Sequence, residues 1–98
     1  MDDLAIRLVV EGRFQGVGYR WWALGRARSL GIRGWVRNRR DGSVELLAIG
    51  SEEAVDEFAA ACREGPAAAQ VKSVTRLEAE AVGVVGFEER PTVWGENR

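Results

Sequence analysis

Between Leu4 and Leu30 the apolar pattern changes period, and the change falls on the glycine-rich segment Gly12-Arg13-Phe14-Gln15-Gly16-Val17-Gly18-Tyr19-Arg20. Before it, Leu4, Ile6, Leu8 and Val10 alternate with Ala5, Arg7, Val9 and Glu11, the period of two expected of a half-buried strand. After it, Tyr19, Ala23, Ala27 and Leu30 share one face of a helix of about Trp21 to Leu30, flanked by Trp22. Gly31 stands where a glycine commonly closes a helix. A chain that turns from strand into helix here brings backbone N–H groups together. Gly12, Gly16 and Gly18 can take φ > 0 and let the backbone come close to a ligand. The helix start adds unpaired N–H groups and the positive end of its dipole. Arg20 supplies a planar donor fork suited to phosphate oxygens. The segment reads as a phosphate cradle, although on its residues alone it serves equally well as a plain connector.

The remaining elements follow from the same signals. A second strand is expected over Ile32 to Arg37. Asn38-Arg39-Arg40-Asp41-Gly42 then forms a hairpin, marked by its Asp-Gly pair. Val44, Leu46 and Ala48 alternate along a third strand. Ser51 is a good N-cap, with Glu52 and Glu53 in the first turn of a second helix. Ala54, Val55, Phe58, Ala61 and Cys62 make its inward face, and Gly65-Pro66 ends it. Ala67 to Gln70 form a connector, Val71 to Glu80 a fourth strand of imperfect alternation, and Val82 to Gly86 a loop. Phe87 to Arg90 make a short last strand before Pro91. The tail from Thr92 to Arg98 is expected to be loose, with Trp94 as its anchor. The order βαββαβ, made of two interleaved right-handed crossovers, predicts a ferredoxin-like α+β sandwich. Its sheet is expected to be antiparallel, with both helices on one face. One domain is expected, with its core over about residues 4–91. This architecture alone decides no function.

Composition narrows the chemistry. The net charge of −1 conceals an asymmetry. Residues 1–40 hold nine arginines against Asp2, Asp3 and Glu11, a surplus of six, so the rest carries seven net negative charges. The positive part contains the glycine segment, which suits an anionic ligand. Most of these arginines individually read as solvated surface, Arg39 and Arg40 at the turn included. There is no His and one cysteine, Cys62, so the usual zinc and transition-metal sites are not expected and an internal disulfide is impossible. Cys62 reads as a small core residue. An unpaired cysteine and an acidic N-terminus, Met1-Asp2-Asp3, lead us to expect a cytoplasmic protein with no membrane partner.

No His activates a serine, and no carboxylate cluster follows the glycine segment to hold magnesium. The segment is neither a P-loop, lacking Gly-Lys-Ser/Thr, nor a dinucleotide fingerprint, lacking the third glycine. Phosphate chemistry here must therefore rely on positioning and charge. Acyl phosphates tolerate that restriction. Their leaving group is a carboxylate, the conjugate base of an acid of pKa about 4, and it departs without a proton. The loose phosphoryl-transfer transition state demands little of its nucleophile, so a positioned water suffices. Loop N–H groups and Arg20 can supply charge stabilisation. A neutral amide can orient the water, and Asn38 is the candidate. Taken alone, Asn38 reads first as the residue that opens the hairpin through a side-chain hydrogen bond.

Gly12 to Arg20 closely resembles the phosphate-binding signature of acylphosphatases, and Gly34-Trp35-Val36-Arg37-Asn38-Arg39-Arg40-Asp41-Gly42-Ser43-Val44-Glu45 resembles their second signature. Leu30-Gly31, Gly65-Pro66 and Val71 to Val74 also follow the family pattern, so the resemblance covers about residues 5–91. It implies metal-independent hydrolysis of acyl phosphates without a cofactor. It also implies phosphate binding by Gln15, Gly16, Val17, Gly18 and Tyr19 with Arg20, and water orientation by Asn38. Trp21-Trp22 is bulkier than the family's usual pair, and the tail with Trp94 runs past its usual end. The expected partners are a small acyl phosphate and inorganic phosphate as product and inhibitor, with the chain acting as a monomer.

Two other function classes compete with this one. One is a non-catalytic or regulatory anion-binding module of the same fold, detached from a larger carbamoyl-phosphate-processing protein. Such domains usually lie in long chains with further cysteine motifs, and neither is present here. The other is RNA binding, which shares the βαββαβ order. The strands lack the paired aromatics of that class, and the arginines cluster about a small loop, so no nucleic-acid partner is expected.

Overall fold

The computed structural model describes residues 3–14 and 18–92. Its elements are β1 (Leu4–Arg13), α1 (Tyr19–Ser29), β2 (Arg33–Asn38), β3 (Val44–Gly50), α2 (Glu52–Glu64), β4 (Gln70–Glu78) and β5 (Phe87–Arg90). They form a five-stranded sheet in the order β4-β1-β3-β2-β5, with both helices on one face. The ferredoxin-like α+β arrangement expected from the sequence is the one observed. Gln15, Gly16, Val17 and Trp94, with the rest of the tail from residue 93, lie outside the described residues.

The four strands of the βαββαβ unit pair antiparallel, as expected. The short last strand makes the sheet mixed, because β5 pairs in parallel with β2, in register from Gly34↔Phe87 to Arg37↔Arg90. The path of the chain explains it. β4 lies at the far edge and ends where β2 begins, so the segment after Glu78 must cross the sheet on the face away from the helices. Ala79 N–H donates to the Ala5 carbonyl at 3.2 Å, and Gly34 N–H donates to the Gly86 carbonyl at 2.9 Å. A chain delivered to that end can only run alongside β2 in the same direction.

The crossing also explains why β3 is buried at every position and not at alternate ones. Val44, Leu46 and Ala48 face the helices, in a core with Leu8, Val10, Val36, Val55, Phe58 and Cys62. Ala5, Leu47 and Ile49 form a second cluster on the opposite face, covered by Trp35, Ala79 and Val84. Full burial of each large apolar side chain contributes about 1.5–3 kcal/mol, so this cover is a substantial part of the fold. Trp35 packs there, with the guanidinium of Arg37 4.9 Å from its ring centre.

Several local readings hold. The Ser51 hydroxyl caps α2 by accepting from Ala54 N–H at 3.1 Å, and Gly65 ends it at φ 71°. Ala59, absent from the expected inward face, is buried beside Val55, Phe58 and Cys62. Cys62 is wholly buried, and burial pushes its thiol up to about 12. We expect iodoacetamide to leave native Cys62 unmodified at pH 7 and to alkylate it in denaturant, because the thiolate is the reactive form. Modification of the native protein at the rate of a free thiol, read by mass spectrometry, would show a reactive cysteine.

Candidate active site

The C-terminal ends of β1, β2 and β5 and the N-terminus of α1 meet at one end of the sheet. There they enclose a cleft of about 1030 Å³. Gly18, Tyr19, Arg20 and Asn38, four residues singled out in the sequence, all line it. The register explains why. Val36 is fully buried against the helices, so Asn38, two residues later on the same strand, leaves the core on the same side.

Gly18 is the N-cap of α1 and holds φ 70°, a left-handed conformation that glycine adopts without steric cost. Among the described residues no side chain caps this helix, and no acidic residue stands in its first turn. The contrast is with α2, which has both Ser51 and two glutamates. The first N–H groups of α1 and its dipole thus face the cleft with no side-chain cap among the described residues. Gly12 serves otherwise than expected. It is a residue of β1 at the bulge between Glu11 and Gly12, where a Cβ would collide with the Gln70 carbonyl of β4.

Tyr19 is 2% exposed, and its hydroxyl donates to the Cys62 carbonyl at 2.7 Å. Burial raises its pKa far above the ordinary tyrosine value. Phe14 and Trp22 stack beside its ring at 4.7 and 5.3 Å. The side chain therefore ties the start of α1 to α2, and what Tyr19 offers the cleft comes from its main chain.

Asn38 ends β2 with its backbone paired to Val44. The hairpin closes without its amide. Arg39 N–H donates to the Ser43 carbonyl at 2.8 Å, and Gly42 N–H to the Arg39 carbonyl at 3.0 Å. Asp41 Oδ1 accepts from Ser43 N–H at 2.9 Å and from its hydroxyl at 2.6 Å. These bonds hold the Asp41 carboxyl below its ordinary pKa. Among the described residues nothing hydrogen-bonds the Asn38 side chain, which leaves a half-buried amide with its donors and acceptor unused.

Arg20 stands with its Nε 3.8 Å from Glu89 Oε1. Arg13 and Arg39 line the same cleft, so its described walls carry three guanidinium groups against one carboxylate. Sequence reasoning missed Glu89. Its place depends on the parallel pairing of β5, and nothing in the local pattern announces that. Other arginines of the N-terminal half are held by structural partners. Arg7 and Arg37 flank buried Glu45 at 3.2 and 2.9 Å, Arg28 donates to the Phe87 carbonyl, and Arg33 pairs with Asp3 at 2.8 Å. Among the described residues, no three His, Cys, Asp or Glu side chains group in a way that could hold a metal ion.

The family model for acylphosphatase matches residues 6–88. The chain belongs to the acylphosphatase family. It therefore belongs to a family of hydrolases. It is 54% identical over 74 residues to an acylphosphatase of Nitrobacter hamburgensis, covering 76% of this chain and 75% of that one. It is 45% identical to an acylphosphatase of Rhizorhabdus wittichii, over 94% of this chain and 93% of that one. The crystal structure of an acylphosphatase from Bacillus subtilis superposes with a TM-score of 0.84 at 36% identity, covering 89% of this chain and 98% of that chain. The acylphosphatase signatures read from the sequence thus lie within the matched region, and Arg20 and Asn38 fall in them.

Proposed function

We propose that this chain hydrolyses acyl phosphates to a carboxylate and inorganic phosphate. In this reading the segment from Gln15 to Arg20 binds the phosphoryl group and Asn38 orients the attacking water. The observation that carries it is the meeting of Arg20 and Asn38, whose amide has no partner among the described residues, in one cleft at the N-terminal end of α1. The parts of Gln15, Gly16 and Val17 rest on their sequence and on the family signature. Arg20 and the main-chain N–H groups neutralise charge on the equatorial oxygens of the phosphoryl group. Asn38 accepts a hydrogen bond from the water through its amide oxygen and aims the water's lone pair in line with the breaking P–O bond, and the water's proton passes to the phosphate that forms. The carboxylate leaves as an anion, so no general acid is required. Neither metal nor cofactor has a part in the reaction. The reading includes a cytoplasmic monomer acting on a small molecule. Among the described residues no helix is long and apolar enough to cross a membrane.

The test is phosphate release from acetyl phosphate in excess EDTA, with inorganic phosphate as inhibitor. We expect full turnover with chelator present and competitive inhibition by phosphate, since the cradle recognises the phosphoryl group whatever acyl group it carries. Activity lost to chelation and restored by a divalent cation would remove the metal-free reading. Absent inhibition by phosphate would reduce the glycine segment to a connector.

A further inference from the structure

Glu89 reaches the cleft by strand register. The parallel pairing of β5 sets it beside Val36, and Phe87, two residues earlier, is buried in the core on the helix side. Alternation along the strand turns Glu89 to that same face. Glu88 and Arg90 take the opposite face, where the Arg90 guanidinium lies 5.4 Å from the Trp35 ring centre and donates to Glu88 at 3.0 Å. Glu89 is the single carboxylate among the described residues lining the cleft, against Arg13, Arg20 and Arg39. Its Oε1 lies 3.8 Å from Arg20 Nε, with both side chains about a third exposed. That separation exceeds hydrogen-bond reach, so Glu89 does not fix the direction of the guanidinium. It is close enough for the two charges to attract directly. Among the described residues no hydrogen bond engages the terminal donors of Arg20, which can form a bidentate fork.

We propose that Glu89 is the built-in counter-ion of the phosphate site, a carboxylate that competes with the phosphoryl group for Arg20 and so weakens phosphate binding and speeds its release. The inference rests on the reading of Arg20 as a phosphate ligand. It gives a family member with a strongly cationic cleft a means of avoiding retention of its own product. A bound phosphate must share the guanidinium with Glu89, and it also meets the carboxylate's repulsion. A purely structural carboxylate at the end of β5 would affect stability and leave phosphate affinity alone.

The experiment measures the competitive inhibition constant of inorganic phosphate, with acetyl phosphate as substrate and the thermal midpoint as a control. Glu89→Gln keeps the size and an acceptor oxygen and removes the charge. It is expected to tighten phosphate about three- to tenfold at low ionic strength, as befits a charge pair this exposed. The gain should shrink at about 1 M salt, where the screening length falls to about 3 Å. Glu89→Asp, which keeps the charge, should stay within about twofold of the parent. Arg20→Ala should weaken phosphate, and adding Glu89→Gln to it should yield a smaller gain than in the parent. Unchanged or weaker phosphate binding in Glu89→Gln, in a protein where Arg20→Ala does weaken it, would overturn the counter-ion role. If Arg20→Ala leaves the constant unchanged, the phosphate-site reading itself falls, and this inference with it.

Discussion

Arg20→Ala is expected to lower kcat by on the order of 10²–10³-fold, the cost typical of removing one preorganised donor aimed at developing charge. The same variant should raise the phosphate inhibition constant about ten- to a hundredfold, since hydrogen bonds to charged groups contribute about 1.5–3 kcal/mol each and every 1.4 kcal/mol is a factor of ten. Both constants move because, in the proposed mechanism, the guanidinium meets the phosphoryl oxygens in the ground state and in the transition state alike. Arg20→Lys should recover little, as an ammonium point charge does not reproduce a planar fork. Stability should hardly change. Its ion pair with Glu89 spans 3.8 Å between groups about a third exposed, and such pairs contribute about 0–1 kcal/mol. A variant with normal phosphate inhibition would place the anion elsewhere in the cleft, with Arg13 and Arg39 the nearest alternatives.

How much of this could be read before the fold was known differs from element to element. Where a local pattern sets the structure, the sequence was enough. Ser51 caps α2, Gly65 ends it, and β5 runs over Phe87–Arg90 as expected from the phenylalanine and the following proline. That Arg20 and Asn38 would stand at one end of the sheet was legible because each lies at the end of an element whose period is clear, and both fall in signatures that resemble those of a known family. The missed features are all long-range. Burial on both faces of β3 depends on the segment after Glu78 crossing the sheet, which brings Val84 over Leu47 and Ile49. The same crossing makes β5 parallel and turns Glu89 into the cleft. No residue near Glu89 carries a signal of that path. Gly12 shows a different limit. Its lack of a side chain was read as freedom of φ, whereas the close approach of β4 at the bulge is what requires it.

Asn38→Ala separates orientation of water from binding of phosphate. The amide has no hydrogen-bond partner among the described residues, and the turn beside it is closed by Arg39, Asp41, Gly42 and Ser43. Its removal should therefore leave the hairpin intact, with the thermal midpoint within about 3 °C of the parent, the scale of a surface substitution in a domain of this size. The phosphate inhibition constant should stay within about twofold, because the proposed mechanism has Asn38 act on the water and not on the phosphoryl oxygens. Turnover is where the loss should appear. Without the amide the water keeps its place in the solvent-filled cleft but loses its alignment with the breaking bond. A fall in kcat on the order of 10²-fold or more is expected from losing one oriented polar group at a reacting centre. This pattern is the opposite of the one expected for Arg20, where binding and turnover fail together. A hairpin role gives a third pattern: a lowered midpoint with full turnover in the folded protein. An Asn38→Ala protein with normal kcat would remove the amide from the reaction and leave the water to be aligned by the phosphate cradle alone.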